Sequence, residues 1–188
     1  MLDFLGAIAS LLSTYYFIRL NSYAWIISIF ATCLNSWLYW QKGIYADMML
    51  EFFYFVTTCY GWLLWNKAKT FQRKIIKLSP HQWLTLALST LVLFSVILIS
   101  LSWFTSSTVV TLDALTTSLS IAAQWLMGHK IIATWVLWFF TDGIYAYLYA
   151  QKHIPFHAAL MLIYTGMAII GYCHWTKKRE CQRLAYRL

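Results

Sequence analysis

Charge is what this chain lacks most. Asp, Glu, Lys and Arg make up 11% of its 188 residues, where a soluble domain carries about a quarter. With 61% hydrophobic residues and a mean hydropathy of +0.62, the chain cannot cover itself with polar surface, which excludes an ordinary water-soluble domain. Acid is scarcer still, six residues against fourteen basic ones. Cysteine is sparse and poorly placed: Cys33, Cys59, Cys173 and Cys181 contain no C-x-x-C pair, and three of them lie in apolar runs. That argues against a disulfide framework or a zinc site. His81, His129, His153, His157 and His174 sit mainly at joints and helix ends without ligand spacing, so no metal, haem or other cofactor is expected. There is no Gly-rich phosphate loop or nucleophile motif, and no catalytic residue is assigned. The opening MLDFLGAIAS has no basic n-region, so its apolar run is expected to be a lasting helix rather than a leader.

What the chain has is long apolar runs. A membrane-crossing helix needs about 20 mostly apolar residues, and seven such spans are predicted: 2–19, 22–41, 44–66, 82–104, 109–128, 131–151 and 154–176. The lipid bilayer is therefore the expected surrounding. Most joints are very short, such as QKG at 41–43 and GHK at 128–130; the long one is residues 66–82, with Pro80 as a helix-start signal. Seven spans put alternate joints on opposite sides. One side holds only Lys42 and Lys152. The other holds twelve of the fourteen basic residues, from Arg19 through Lys67, Lys69, Arg73, Lys74, Lys77 and Lys130 to the tail Lys177, Lys178, Arg179, Arg183 and Arg187. The net charge of +8 thus marks orientation and not affinity for nucleic acid. The positive-inside rule places the C-terminus in the cytoplasm and the N-terminus outside.

Shifted by 110 residues, the sequence matches itself without a gap. Leu2, Asp3 and Leu5 meet Leu112, Asp113 and Leu115; Ser10 meets Ser120; Trp25 meets Trp135. YWQKGI (39–44) meets YAQKHI (149–154). Leu50, Tyr54, Gly61, Trp65 and Lys67 meet Leu160, Tyr164, Gly171, Trp175 and Lys177. The organisation read from this is a three-helix repeat at 1–68, a basic cytoplasmic loop with a linker helix at 69–110, a second three-helix repeat at 111–178 and a basic, solvated tail at 179–188. Four spans separate equivalent helices, so the repeats face the same way. The fold class is an all-α integral membrane protein of 3+1+3 plan. Parallel repeats are one of the transporter plans, with the substrate held near the midplane between them.

Asp142 lies in WVLWFFTDGIYAYLY (135–149), roughly 16 Å into a helix that starts near 131 at 1.5 Å per residue. A carboxylate facing lipid there costs about 3 kcal/mol on insertion scales, so it is expected to face the bundle interior. Trp135, Trp138, Asp142, Tyr145 and Tyr149, spaced 3, 4, 3, 4, share one helix face. The repeat mates Trp25, Ser28, Thr32, Asn35 and Tyr39 form a second stripe, and Asp47, Glu51, Tyr54, Thr58, Trp62 and Trp65 a third. The substrate-binding candidates are Thr32, Asn35, Glu51, Tyr54, Trp62, Trp135, Trp138, Asp142 and Tyr145. Aromatic faces and two acids suit a cationic, ring-bearing, hydroxylated small molecule. Trp65 and Trp175, beside lysines, read as interfacial anchors. Asp3, Asp47 and Asp113 read as charges at helix N-termini, and Gln124 as interhelical glue. A membrane enzyme with Glu51 and Asp142 as an acid–base pair, or a sensor docking through its basic tail, are the competing classes. The sequence leaves room for a homo-oligomer.

IYADMMLEFFYFVTTCYGWLLW (44–65), DALTTSLSIAAQWLMGHK (113–130), ATWVLWFFTD (133–142) and GYCHW (171–175), in that order, resemble the Pnu-type vitamin transporters, and the nicotinamide riboside branch most. The resemblance covers most of the chain. It implies a SWEET-like fold, a bacterial inner-membrane location and facilitated uptake without a cofactor, the substrate being trapped by phosphorylation in the cytoplasm. By motif, Trp135 and Trp138 match the family's Trp-x-x-Trp. Two positions depart: Ala133-Thr134 stands where Glu-Asn often precedes that motif, and Glu51 where many members carry glutamine. Both departures are read as touching the ligand site. Nicotinamide riboside and thiamine, each with a cationic ring, both remain candidate substrates.

Overall fold

The structure is a computed structural model that describes residues 2–41, 45–67, 74–104, 110–151 and 155–185. These form seven helices: α1 (Leu2–Ile18), α2 (Tyr23–Gln41), α3 (Tyr45–Lys67), α4 (Pro80–Phe104), α5 (Val110–Gly128), α6 (Ala133–Gln151) and α7 (Pro155–Ala185). Lys42, Lys69, Arg73, Lys152, His153 and Arg187 lie outside the described residues, and so do the side chains of Asp3, Tyr39, Asp47 and Lys67.

The helix ends follow local chemistry. Ser79 and Gln82 make a reciprocal capping box before α4, the Ser79 N–H donating to Gln82 Oε1 at 2.9 Å and the Gln82 N–H to Ser79 Oγ at 3.4 Å. Pro80 takes the first helical position, where no N–H is needed. α1 and α5 end alike. Leu20 and Lys130 both adopt φ 56°. The Asn21 N–H reaches back to Tyr16 O and the Leu20 N–H to Phe17 O, while the Ile131 N–H reaches Leu126 O and the Lys130 N–H Met127 O. This is the Schellman ending, made here without glycine. Within the helices, Thr14, Thr32, Thr116, Thr141 and Thr165 return their hydroxyl hydrogens to the carbonyl four residues back. That satisfies them where water is scarce.

Six helices close a ring: α1 packs on α2, α2 on α3, α3 on α5, α5 on α6, α6 on α7, and α7 returns to α1. α4 stands outside the ring against α5. Its Leu84, Leu88, Leu91, Val92, Val96 and Ile99 are exposed, as a lipid-facing helix requires. Among the described residues, Pro80–Trp103 and Pro155–Ala185 are long and apolar enough by themselves to cross a membrane, and Phe4–Ile18 and Tyr23–Leu38 are further apolar stretches.

The predicted end of the seventh span needs correction: α7 continues unbroken to Ala185, nine residues past 176, and carries Lys177, Lys178 and Arg183 exposed on its surface. Its 31 residues span about 46 Å at 1.5 Å per residue, well beyond the roughly 30 Å hydrocarbon core. The stretch before α4 also packs against the bundle. Ile75 is buried and its N–H donates to Gln182 Oε1 on α7 at 3.2 Å. Ile76 pairs with the α5–α6 joint: its N–H donates to Lys130 O, and the Ile132 N–H donates to its carbonyl, each at 3.0 Å.

Candidate functional site

At the end of the ring that carries the basic residues, the core is aromatic and dry. Phe17, Trp25, Trp65, Met127, Trp135 and Trp175 form one buried cluster with Ile75 and Ile132. Trp65 and Trp175 are 2% and 0% exposed, so they are not interfacial anchors. The Trp65 Nε1–H donates to Met127 O at 3.3 Å and Gly128 O at 3.1 Å, at the end of α5. The Trp175 Nε1–H donates to Phe17 O at 3.1 Å and Ile18 O at 3.2 Å, at the end of α1. Trp65 of α3 thus caps the end of α5, and Trp175 of α7 caps the end of α1, using carbonyls at helix ends. Lys130 Nζ lies 4.6 Å over the Trp65 ring.

Trp25 and Trp135 fill the next layer by shape. A Cβ at Gly61 would collide with the Trp25 ring, and one at Gly171 would lie 2.5 Å from Trp135 Cδ2. Trp25 meets Trp65 edge to face at 5.5 Å, and Trp135 meets Trp175 at the same 5.5 Å. Among the described residues neither the Trp25 nor the Trp135 Nε1–H finds an acceptor, a cost of about 1–3 kcal/mol each.

Beyond this plug the ring encloses a cavity of about 900 Å³, near the upper end of the range for sites that take one small molecule. Thr32, Asn35, Glu51, Tyr54, Trp135, Trp138, Asp142 and Tyr145 all line it. Trp62 does not; it is half-buried against the aromatic cluster. Asn35 Nδ2 donates to Glu51 Oε1 at 3.2 Å, which ties α2 to α3. Asp142 is 8% exposed, and no described residue donates a hydrogen bond to it. Tyr54 lies within electrostatic reach of both Glu51 and Asp142, and Tyr164 within reach of Asp142. Gln124 is glue as expected, its Nε2 donating to Thr58 Oγ1 at 3.1 Å between α5 and α3, but it also lines the cavity.

Sequence reasoning missed Ser10, Ser120 and Tyr164. Tyr54 lies near Ser120, and Tyr164 near Ser10, so two matched tyrosine–serine approaches link α3 to α5 and α7 to α1. Both partners were visible in the 110-residue match; what was lacking was a reason to read a matched Ser as a facing residue. The Ala133-Thr134 departure does not touch the cavity. Both residues are buried, and Thr134 Oγ1 donates to Ala123 O at 2.8 Å, stapling α6 to α5. Glu51, the other departure, does line it.

The arrangement can hold a molecule that has a cationic ring and hydroxyl groups. It offers aromatic faces, carboxylates and many hydroxyls, and among the described residues no Lys or Arg lines it. Among those residues no group of His, Cys, Asp or Glu is placed to hold a metal.

A helical ring around a polar and aromatic cavity, wrapped in an apolar exterior, defines a multi-pass helical membrane protein. Residues 1–177 match the nicotinamide mononucleotide transporter family, and the chain belongs to that family. It is 25% identical over 170 residues to the nicotinamide riboside transporter PnuC of Neisseria mucosa, an alignment covering 81% of this chain and 63% of the relative. It is 23% identical over 205 residues to PnuC of Escherichia coli K12, covering 93% and 84%. The chain therefore spans less than two thirds of the Neisseria protein. The crystal structure of the vitamin B3 transporter PnuC superposes with a TM-score of 0.79 at 22% identity, over 95% of this chain and 82% of that one. That likeness establishes the fold.

Proposed function

We propose that this chain is a facilitative carrier that takes up a cationic vitamin precursor, nicotinamide riboside, into the cell. The observation that carries the reading is Asp142: a buried carboxylate without a hydrogen-bond donor among the described residues, beside Trp138, in a cavity that no described Lys or Arg lines. A buried acid left unpaired is costly, and a substrate cation relieves that cost. The relatives named as nicotinamide riboside transporters support the choice of substrate.

The chain works as two parallel three-helix repeats, α1–α3 and α5–α7, joined by α4. The reciprocal Trp65 and Trp175 hydrogen bonds support this, because a repeat related by 110 residues requires each contact to occur twice. Rocking of the repeats exposes the cavity to either side. The basic face lies in the cytoplasm, with the C-terminus, and the N-terminus lies outside. Substrate moves down its gradient and is retained by phosphorylation in the cytoplasm.

Uptake of labelled nicotinamide riboside and labelled thiamine into liposomes holding the purified protein tests the reading. Saturable entry of nicotinamide riboside without an imposed ion gradient is expected. Entry of thiamine alone would overturn the substrate, and entry of neither would overturn the carrier function. A reporter that fluoresces only in the cytoplasm, fused after Leu188, should be bright.

A further inference from the structure

The cavity holds a second aromatic cluster, away from the Trp138–Asp142 level and at the end opposite the tryptophan plug. Tyr145 and Tyr149 stack at 6.1 Å with planes 21° apart. Tyr149 then meets His157 of α7 at 5.3 Å, and His157 meets Phe156 at 5.8 Å. All four line the cavity, as does Asp113 in the first turn of α5. Phe156 is 61% exposed and His157 is exposed too, so the cluster stands where the cavity meets the surroundings. Along α6, Trp138 to Tyr149 spans about 16 Å at 1.5 Å per residue. A ligand of one ring and one sugar is shorter than that, so one held by Trp138 and Asp142 leaves the outer cluster uncovered.

We propose that Tyr149, His157 and Phe156 form an entry station that stacks a planar cationic ring before it moves inward to Asp142. Aromatic faces attract cations and accept any flat ring. The acids along the path deepen in order: Asp113 lies about one turn from the start of α5, Glu51 about two turns into α3, and Asp142 about nine residues from the end of α6. A cation leaving the outer rings therefore meets a carboxylate at each level. The station's task is to speed capture, not to set final affinity.

This inference rests on the carrier reading above, and the test separates the two. Equilibrium binding and initial uptake of nicotinamide riboside are measured for the parent, Tyr149→Ala, His157→Ala and Tyr149→Phe, each checked for an unchanged unfolding temperature. Both alanine variants should keep the equilibrium affinity within about twofold. Their uptake at low substrate should fall about three- to tenfold, the loss expected for one cation–ring contact. Tyr149→Phe should retain the parental rate, because the ring and not the hydroxyl does the stacking. Unchanged uptake in both alanine variants overturns the entry station while the carrier reading stands. A parent that neither binds nor admits the compound overturns the carrier reading itself, and the station with it.

Discussion

The two helix triplets are alike at one end and unlike in the middle. At the basic end, positions 110 apart do the same work: Trp25 and Trp135 are wedged against Gly61 and Gly171, and Trp65 and Trp175 clasp the opposite helix end. In the cavity the same spacing pairs unlike residues: Ser28 with Trp138, Thr32 with Asp142, Asn35 with Tyr145, Glu51 with Met161. A contact between two equivalent halves must be made twice, so both copies of each residue stay under the same physical demand. A cavity that encloses one asymmetric ligand places no such demand, and its two walls are free to divide the labour.

The largest effect should come from breaking the clasp. Trp65→Ala or Trp175→Ala removes a fully packed ring and takes the indole donor from a helix-end carbonyl, Gly128 O or Ile18 O; each should cost about 3–5 kcal/mol, read as a lowered unfolding temperature in detergent. The two losses should be similar, and a marked inequality would break the symmetry argument. Next come the cradles. Gly61→Ala and Gly171→Ala should each destabilise by about 1–3 kcal/mol through overpacking, visible in the same measurement. In the cavity the outcome should be unequal. Trp138→Ala should weaken binding of the cation by about 1–2 kcal/mol, and Asp142→Asn by a similar amount, measured by calorimetry. Their mates Ser28 and Thr32, changed to Ala, should matter less. Asp142→Asn that binds like the parent would make Asp142 structural and leave Glu51 as the charge-recognising acid. Smallest of all, Trp62→Ala should leave ligand affinity within about 0.5 kcal/mol, because that ring packs outside the cavity.

Much of this was legible along the chain, for a simple reason. A helix that crosses lipid must satisfy its own backbone, so length and apolarity mark the helices almost residue by residue; every helix end but that of α7 fell within two residues of its expected place. Polar stripes then pointed inward because lipid would not accept them, which brought eight of nine candidates to one cavity. What failed was any inference that needed to know what lay opposite. Trp65 beside Lys67 looks like an anchor at the headgroups until the end of α5 is placed against it. Thr134 looks like a ligand contact until Ala123 takes its hydroxyl. The seventh span looks complete at 176 until Gln182 of the same helix reaches Ile75.

By itself, then, the sequence determined the all-helical membrane class, the 110-residue self-match, the charge asymmetry and the inward-facing acids, because each follows from the cost of putting charge or open backbone into lipid. Only the tertiary structure decided which tryptophans seal and which line the cavity, and that the tyrosine–serine approaches link α3 to α5 and α7 to α1. It alone showed that α7 runs on to dock the α3–α4 connection. Those depend on what each side chain meets across the ring, and spacing along one helix carries no information about its neighbour.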